Sequence, residues 1–412
     1  GRLSFKAKGS GKSGLIATSR PGQEVLSRTA CEIGRNEITA RFEVGFPAFG
    51  RTINSGELIR IFFDFLPGCV ENVFFYRRQN NAEIKKRITL ADDQQFIRNE
   101  LKRLDLVSFV ADGSILPRET GVSDRPMKGS VAFHSPDSLR ITLNLPGHGP
   151  ISGMAIHRGI TLIVGGGYHG KSTLLKALES GVYNHIPGDG REYVITDETA
   201  VKLRAEDGRS INHVDISLFI RDLPNKKDTT CFSTADASGS TSQAAAVIES
   251  IEAGTRAFLI DEDTSATNFM LRDDLMQRIV SRDKEPITPF IERARDLYKQ
   301  AGISTVLVAG SSGAYFFIAD TIIQMDAYRP FDITEMVKNA CEHEASKPAI
   351  QAPGFKLPTA GRKLAAGGTG RAVGAMALDF GDSRAEAGGE SQEEGENSGR
   401  SGRFGNRGGS AS

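Results

Sequence analysis

The chain has 412 residues, of which 39% are hydrophobic and 25% charged, and its formal net charge is zero. This length predicts at least two domains, and no apolar run approaches the ~20 residues of a membrane-spanning helix, so no such helix is predicted. The four cysteines lie far apart without a CxxC pair, which argues against a zinc site and predicts a reducing intracellular compartment, either the cytoplasm or the mitochondrial matrix.

The first part of the chain predicts a mixed α/β segment. Its hydrophobic periodicity predicts, in chain order, a strand at 38–44, a helix at 58–63, a strand at 73–76 and a helix at 92–106 that ends at residues 107–110. Before these elements, residues 9–14 have the glycines and lysine of a phosphate-binding loop, but Lys6 stands where its first glycine belongs. We therefore do not predict an ATP site there.

Positive charge is concentrated in the same part of the chain. Residues 1–150 carry 22 Lys and Arg against 16 Asp and Glu, whereas residues 151–345 carry 20 against 28. Basic residues interleaved with aromatic residues suit single-stranded nucleic acid. Such a cluster comprises Phe74, Phe75, Tyr76, Arg77, Arg78, Lys85, Lys86 and Arg87. The alternative interpretation places the aromatic rings in the core and the charges in solvent.

Two predicted strands, at 139–145 and 151–156, lead into the most informative motif of the chain. Residues 165–173 fit the P-loop pattern G-x-x-x-x-G-K-[S/T], after an apolar run at 160–164 that predicts a buried strand. A strand, a glycine turn and a helix N-terminus in this order aim backbone N–H groups at a phosphate. The predicted ATP-binding residues are Gly165, Gly166, Gly167, Tyr168, His169, Gly170, Lys171, Ser172 and Thr173.

Individual side chains of this loop have distinct expected roles. Lys171 is expected to reach the β- and γ-phosphates as a catalytic residue, and Ser172 to ligate Mg²⁺. The His169 ring is expected to be solvated, while Tyr168 and Phe133 are the candidates for stacking on adenine. The alternative is a glycine-rich turn with an exposed lysine.

Two further motifs follow at spacings that complete a nucleotide site. Ser238, Gly239 and Ser240 precede an apolar helix, and small hydroxyl residues with glycine at a helix N-terminus predict an anion site. Asp261 and Glu262 end the next apolar strand. We expect Asp261 to bind Mg²⁺ and Glu262 to orient or deprotonate the attacking water. The alternatives are an ordinary helix start and a solvated acidic turn.

Strands and helices alternate to about residue 327, which predicts a doubly wound α/β domain. From residue 345 onwards Ala, Gly, Ser and Pro dominate, which predicts a disordered tail. Arg400, Arg403 and Arg407 lie among glycines there, a composition typical of tails that bind RNA. A flexible linker is the alternative.

Together the motifs resemble those of the predicted ATPases of the ABC (ATP-binding-cassette) class, a family of soluble proteins without membrane domains. The resemblance is carried by residues 109–118, 121–126, 165–175, 183–191, 204–209, 237–245 and 261–269. It implies a P-loop NTPase fold of ABC type, with a doubly wound sheet and an antiparallel subdomain, after a smaller α/β domain and before a disordered tail. The expected domains are residues 1–130, 131–345 and 346–412. Family chains usually extend further, so the N-terminal domain is expected to be truncated and a C-terminal domain to be missing.

The resemblance also implies a homodimer in which ATP is sandwiched between protomers. Ser238 and Gly239 would reach the γ-phosphate bound by the other protomer, and residues 263–268 would form the D-loop. A family member occurs in kinetoplastid mitochondrial RNA-processing assemblies, which implies RNA rather than DNA as a nucleic-acid partner. One departure is that residues 310–314 contain neither the transporters' switch histidine nor the family's usual Gly-Gly-Ser-Gly-Asp.

The resulting prediction is an Mg²⁺-dependent ATPase that hydrolyses ATP to ADP and phosphate and couples this reaction to RNA or other nucleic-acid binding. The basic N-terminal segment and the Arg/Gly tail are the expected contact regions. The alternative is a nucleotide-gated, nucleic-acid-binding scaffold with little turnover, which the altered sensing loop favours.

Overall fold

The structure is a computed structural model that describes residues 10–18, 21–272, 279, 284–310, 312–342 and 352–357. Most of the tail predicted at 346–412, including its arginines, lies outside the described residues. Residues 352–357 are described and are not free of the core: Phe355 and Leu357 pack against it, and Arg293 Nη1 donates to the Pro353 carbonyl at 2.6 Å. Across the part of the chain that is described, no helix has both the length and the hydropathy needed to cross a membrane.

The N-terminal segment begins with short strands that pair mainly with one another. These strands are β1 (Ile16–Ala17), β2 (Glu24–Val25), β3 (Cys31–Ile33), β4 (Ile38–Ala40), β5 (Glu43–Val44), β6 (Ala48–Phe49) and β7 (Thr52–Ile53). Antiparallel pairs form between β1 and β5, β3 and β4, and β6 and β7. The strand predicted at 38–44 is therefore two short strands in different pairs.

Helices follow these strands. They are α1 (Ser55–Arg60), a π-helical turn (Ile61–Phe65), α2 (Leu66–Phe74), a 3₁₀ turn (Tyr76–Arg78) and α3 (Asn81–Arg103). The helix predicted at 58–63 is confirmed, whereas the strand predicted at 73–76 is wrong, because the helix continues to Phe74. Aromatic and β-branched residues favour strands only in a suitable context. Here the preceding helical turns continue through the run and leave Phe75 extended.

Helix α3 begins eleven residues earlier than predicted. The Asn80 side chain accepts hydrogen bonds from the N–H groups of Ala82 and Glu83, which caps the helix N-terminus. Farther along, the Gln94 amide donates to the carbonyls of His185 and Glu192 at 3.0 and 2.9 Å. The helix is therefore anchored to a later part of the chain.

The remaining strands are β8 (Leu106–Ala111), β9 (Arg140–Leu145), β10 (Gly149–His157), β11 (Ile160–Val164), β12 (Asn184–His185), β13 (Val194–Thr196), β14 (Val201–Leu203), β15 (Ile211–Val214), β16 (Phe232–Thr234), β17 (Ala257–Asp261), β18 (Ser304–Val308), β19 (Thr321–Asp326) and β20 (Arg329–Asp332). The later helices are α4 (Lys171–Ser180), α5 (Gly239–Glu252), α6 (Thr267–Met270), α7 (Phe290–Ala301) and α8 (Thr334–Glu342). β2 of the N-terminal segment pairs with β12.

Two sheets organise this part of the chain. One is antiparallel, with strand order β13-β8-β10-β9. The other has the order β14-β17-β18-β11-β19-β20 and is parallel except for β20. The fold is thus the expected P-loop architecture, with a parallel sheet and an antiparallel subdomain. The boundary expected at residue 130 separates β8 from its pairing partner β10.

Both faces of the parallel sheet are covered. Phe258 and Ile260 of β17 pack into a core that includes residues of α5, α7 and α8, whereas Leu259 packs into a second core with α4 and β10. This alternation follows from the two-residue period of a strand. The sheet is consequently rigid beneath its carboxyl edge, where the loops after β11, β17 and β18 emerge together.

Two of the stretches that carry the family resemblance meet in a buried network. The Asp189 carboxylate lies 2.7 Å from His185 Nδ1 and 2.9 Å from Arg118 Nη2. Burial alone would raise the pKa of the Asp189 carboxyl, but hydrogen bonds from His185 and Arg118 hold it below its ordinary value. Arg191 Nε adds a bond to the Leu116 carbonyl at 3.0 Å. These motif residues fasten the loop after β8 to the loop after α4.

Candidate nucleotide-binding site

The predicted P-loop connects β11 to α4 at the carboxyl edge of the parallel sheet. Gly165 has φ 137°, and a Cβ on it would collide with the carbonyl oxygen of Met325. Gly170 has φ 98°, and a Cβ there would lie 2.7 Å from Cδ1 of Tyr328. Both glycines are required by backbone conformation and by close packing. The loop therefore fits tightly against β19 and the turn that follows it.

Lys171 is the first residue of α4, and its ammonium group lies inside the loop. Its Nζ donates to the carbonyl oxygens of Gly165 and Gly166, both at 2.8 Å. Ser172 follows it in the first helical turn and is exposed, while Thr173 is half-buried. An ammonium, a hydroxyl and the N–H groups of a helix N-terminus thus converge on one small region, which is suited to bind phosphate.

The tip of the P-loop is attached to the turn between β19 and β20. His169 Nδ1 lies 2.8 Å from Asp326 Oδ1 and also 3.0 Å from the backbone N of Ala327. One ring nitrogen cannot donate to the carboxylate and accept from the amide at once, so the tautomer decides which contact is a hydrogen bond. The His169 ring was expected to be solvated. Its side chain is indeed 41% exposed, but its Nδ1 contacts the turn after β19 instead of solvent.

The two aromatic candidates for adenine stacking differ in accessibility. Phe133 is only 3% exposed and packs in the core with Leu116 and Met154, so the structure contradicts its predicted role. Its hydrophobicity stabilises the core beneath the antiparallel sheet, where a nucleotide cannot reach. Tyr168 is fully exposed and has φ 64°.

Asp261 and Glu262 lie where β17 ends. Asp261 is buried, and its carboxylate accepts from the N–H of Asp263 at 3.3 Å. Glu262 begins a 3₁₀ turn, and its Oε2 accepts from the N–H of Gly310 at 2.7 Å. Because Gly310 follows β18, which lies between β17 and β11, this bond holds the carboxylate at the edge of the sheet that carries the P-loop.

The loop after β18, which has no histidine within residues 310–314, contacts Glu262 through the backbone amide of Gly310. Ser311 lies outside the described residues, and Ser312 Oγ accepts from the Ala314 N–H at 3.3 Å. Tyr315 is fully buried, with its hydroxyl donating to the Met270 carbonyl at 2.9 Å. Burial, and then the Glu262 charge, raise the pKa of Tyr315, so it remains a neutral donor.

Helix α5 begins at the predicted anion-binding motif. Ser238 precedes the helix and is exposed, Gly239 is half-buried and Ser240 is buried. A Cβ on Gly239 would lie 3.0 Å from Asp207 Oδ1, so glycine permits a close approach there. Of the two predicted hydroxyls, that of Ser238 is therefore the more accessible.

Gln243 links this helix to the segment after Asp261, a contact that the sequence motifs did not predict. Its Nε2 donates to Ser265 Oγ at 3.0 Å, and its Oε1 accepts from the Ala266 N–H at 2.9 Å. Ser265 Oγ in turn donates to the Asp261 carbonyl at 2.9 Å. The sequence offered one signal for this contact, a glutamine one turn inside an apolar helix, where a polar side chain needs a hydrogen-bonding partner. Gln243 thus connects the helix motif with the strand end.

The basic and aromatic cluster of the N-terminal segment is partly neutralised. Arg77 Nη2 and Arg78 Nη2 lie 3.4 and 3.0 Å from Glu71 Oε1. The Arg77 guanidinium also lies 5.3 Å from the centre of the Phe75 ring. The three basic residues of this cluster that lie on α3, by contrast, are exposed; they are Lys85, Lys86 and Arg87.

The chain is similar to known proteins at the level of family, curated relative and solved structure. Residues 80–356 match a P-loop domain model of ABC ATPases, and residues 2–77 match the model of the N-terminal part of ATPases of the ABC class. An uncharacterized protein of Methanocaldococcus jannaschii is 31% identical over 229 residues, which cover 53% of this chain and 50% of that protein. The chain thus spans about half the length of this curated relative.

Two solved structures match part of the chain at low sequence identity. The first is cbiO1 from Clostridium perfringens, part of the ABC transporter complex cbiONQ, with 14% identity, a TM-score of 0.36, and coverage of 58% of this chain and 92% of that one. The second is an ATP-binding cassette of an ABC transporter in its ADP conformation, with 13% identity, a TM-score of 0.31, and coverage of 47% and 88%.

Proposed function

Because the chain belongs to the ATPases of the ABC class, we propose that it binds ATP with Mg²⁺ and hydrolyses it to ADP and phosphate in a homodimer that encloses the nucleotide. The observation that carries this proposal is the bond between Glu262 and Gly310, which fixes a carboxylate at the sheet edge that bears the P-loop. A carboxylate held at that edge is suited to orient water and take its proton.

The other roles follow from the chemistry of each group. Lys171 and the N–H groups of the P-loop bind the β- and γ-phosphates. Ser172 and Asp261 supply a hydroxyl and a carboxylate, the oxygen ligands that Mg²⁺ prefers, so the residues fit this ion. When bound, Mg²⁺ neutralises charge that develops on the phosphate oxygens. Glu262 accepts the proton of the attacking water as a general base.

In the proposed dimer, the start of α5 completes the partner's site. Ser238 and Gly239 offer an exposed hydroxyl and a helix N-terminus to the γ-phosphate. Ser240 is buried, so it contributes its backbone rather than its hydroxyl. Through Gln243 and Ser265, the position of this motif is connected to the backbone of Asp261 in the same protomer.

We further propose that a nucleic acid, RNA rather than DNA, binds the basic N-terminal part, in an intracellular compartment that is the cytoplasm or the mitochondrial matrix. Lys85, Lys86 and Arg87 are the phosphate-binding candidates, because they are exposed on α3. Helix α3 packs on β8 and β13, so the proposed RNA-binding helix is in direct contact with the antiparallel sheet. The pairing of β8 with β10 favours a domain boundary near residue 80 instead of the expected 130.

A scaffold with little turnover is the second candidate. It is favoured by the backbone amide of Gly310, which contacts Glu262 where transporters carry a histidine. A backbone amide cannot change its protonation state, so it orients Glu262 but does not report on γ-phosphate charge. In this case nucleotide would regulate nucleic-acid binding without being consumed.

The test is ATP binding and phosphate release by the wild-type chain and by Glu262→Gln, each with and without single- and double-stranded RNA and DNA. We expect Glu262→Gln to bind ATP, to dimerise and to lose turnover by at least a hundredfold. Glu335→Gln, which makes the same change at an exposed glutamate of α8, is the matched control and should keep its turnover. ATP binding without turnover in the wild type would favour the scaffold, and a monomeric Glu262→Gln at saturating ATP would refute the sandwich.

A further inference from the structure

The turn between β19 and β20 has an unusual backbone for its residues. Asp326 pairs with Arg329, so Ala327 and Tyr328 form a two-residue hairpin loop, with φ of 45° and 65°. Such loops favour Asn-Gly, because both central residues need positive φ. A tyrosine is seldom found there, and strained positions of this kind cluster at ligand sites.

This turn is fastened to the P-loop by backbone contacts. The Tyr328 N–H donates to the His169 carbonyl at 3.0 Å, and the Ala327 N lies 3.0 Å from His169 Nδ1. On the strand before the turn, the Met325 carbonyl lies directly over Gly165. The Tyr328 backbone is therefore fixed relative to the loop that would hold the phosphates.

The Tyr328 ring itself packs against the P-loop. Its Cδ1 would lie 2.7 Å from a Cβ on Gly170, the residue immediately before Lys171, yet the side chain is 41% exposed. The ring therefore covers the glycine with one part and presents the rest at the rim of the loop. A planar aromatic surface beside a phosphate-binding helix N-terminus suits the face of a nucleobase.

We propose that Tyr328 is the residue on which the base of the bound nucleotide stacks, an inference that rests on the proposed ATP binding. Phe133 is buried in the core and cannot serve. Tyr168 is fully exposed, so no neighbouring group holds its ring in place, whereas the Tyr328 ring is positioned in advance by Gly170 and His169. Stacking uses the π-face that every base has, so the site takes purine nucleoside triphosphates without choosing between adenine and guanine.

The test separates the contribution of the base to binding from the contribution of the phosphates. Affinities of the full chain for ATP, GTP and inorganic tripolyphosphate, each with Mg²⁺, are measured by calorimetry for the wild type, Tyr328→Asn and Tyr328→Phe. Asparagine tolerates positive φ, so Tyr328→Asn removes the ring while keeping the turn. We expect it to weaken ATP and GTP roughly tenfold and equally, and to leave tripolyphosphate unchanged, whereas Tyr328→Phe binds all three normally.

The matched control is Tyr183→Asn, which removes a ring of similar exposure, 46%, after the carboxyl end of α4 and outside the P-loop, and should leave all three affinities unchanged. Wild-type affinity of Tyr328→Asn for ATP would overturn the inference. An equal loss of ATP and tripolyphosphate affinity would also overturn it, because Tyr328 would then only support the P-loop. A wild-type chain that binds none of the three ligands would instead refute the proposed function.

Discussion

The P-loop domain and the N-terminal segment are built in opposite ways. Strands β17 and β18 are completely buried, and apolar helices cover both faces of their sheet. Among the described residues between 10 and 78, by contrast, only Gly14, Pro47 and Ile61 are buried. Because apolar burial is the main favourable term in folding, the first region holds its site rigidly, whereas the second has almost no core of its own.

This contrast has a consequence for function. The groups proposed to act on ATP are positioned by buried strands and by backbone hydrogen bonds, so their geometry is set before a ligand binds. The N-terminal segment instead exposes large apolar side chains along one helical stretch, including Phe63 at 75%, Val73 at 48% and Tyr76 at 66%. Such a surface suits recognition rather than catalysis.

The largest expected effect is the difference in stability between replacing a core phenylalanine and replacing a surface phenylalanine. Phe258→Ala empties a fully buried position in β17 and should lower the free energy of unfolding by about 3–5 kcal/mol. Phe63→Ala removes a ring that is 75% exposed and should change it by less than about 0.5 kcal/mol. Urea unfolding of both variants checks the difference. Equal losses would mean that Phe63 is buried in an assembly in solution.

The second test concerns how tightly the P-loop fits its surroundings. Gly165→Ala forces a side chain into φ 137° and against the Met325 carbonyl, which should cost about 1–3 kcal/mol of stability and at least tenfold in ATP affinity. Thermal unfolding and calorimetric titration measure the two effects.

Gly167→Ala is the control within the same loop, because a Cβ there has no heavy atom within 4 Å and its φ is not positive. It should preserve the free energy of unfolding. If Gly165→Ala bound ATP as tightly as the wild type does, the P-loop would be able to move away from β19. The claim that the P-loop domain holds its site rigidly would then be wrong.

The sequence predicted the parts of the site that are written in contiguous residues. The P-loop, its strand and helix, and the carboxylates at the end of β17 are each local patterns, and they lie where expected because each follows a buried, mostly apolar strand. The bond from Gly310 to Glu262 was not predictable in the same way. It depends on β18 being inserted between β11 and β17, which is a property of strand order.

The errors of sequence analysis have the same physical origin. Phe133 was an adenine candidate because it is aromatic, but its burial is decided by the packing of two sheets. Residues 73–76 have strand-like composition, yet the helix before them continues through Phe74. The sequence did not indicate Tyr328, the proposed stacking residue, because its contact with Gly170 joins positions 158 residues apart and no local pattern reveals it.

The smallest expected effect separates two groups of basic residues within the N-terminal part. Arg77 and Arg78 contact Glu71, whereas Lys85, Lys86 and Arg87 are exposed on α3. If Lys85, Lys86 and Arg87 neutralise RNA phosphates and release their condensed counterions, replacing these three residues with glutamine should weaken single-stranded RNA binding severalfold. It should also reduce the salt dependence of log K by roughly 0.7 for each RNA phosphate that is no longer neutralised.

The matched variant is Arg77→Gln with Arg78→Gln, which should change the salt dependence less, because binding RNA there would require breaking existing ion pairs with Glu71. Fluorescence anisotropy at several salt concentrations distinguishes the two variants. A larger effect from the arginine pair would mean that Glu71 is displaced when RNA binds and that the aromatic residues beside it form the contact surface. The exposed helices before α3, rather than α3 itself, would then form the RNA-binding surface of the chain.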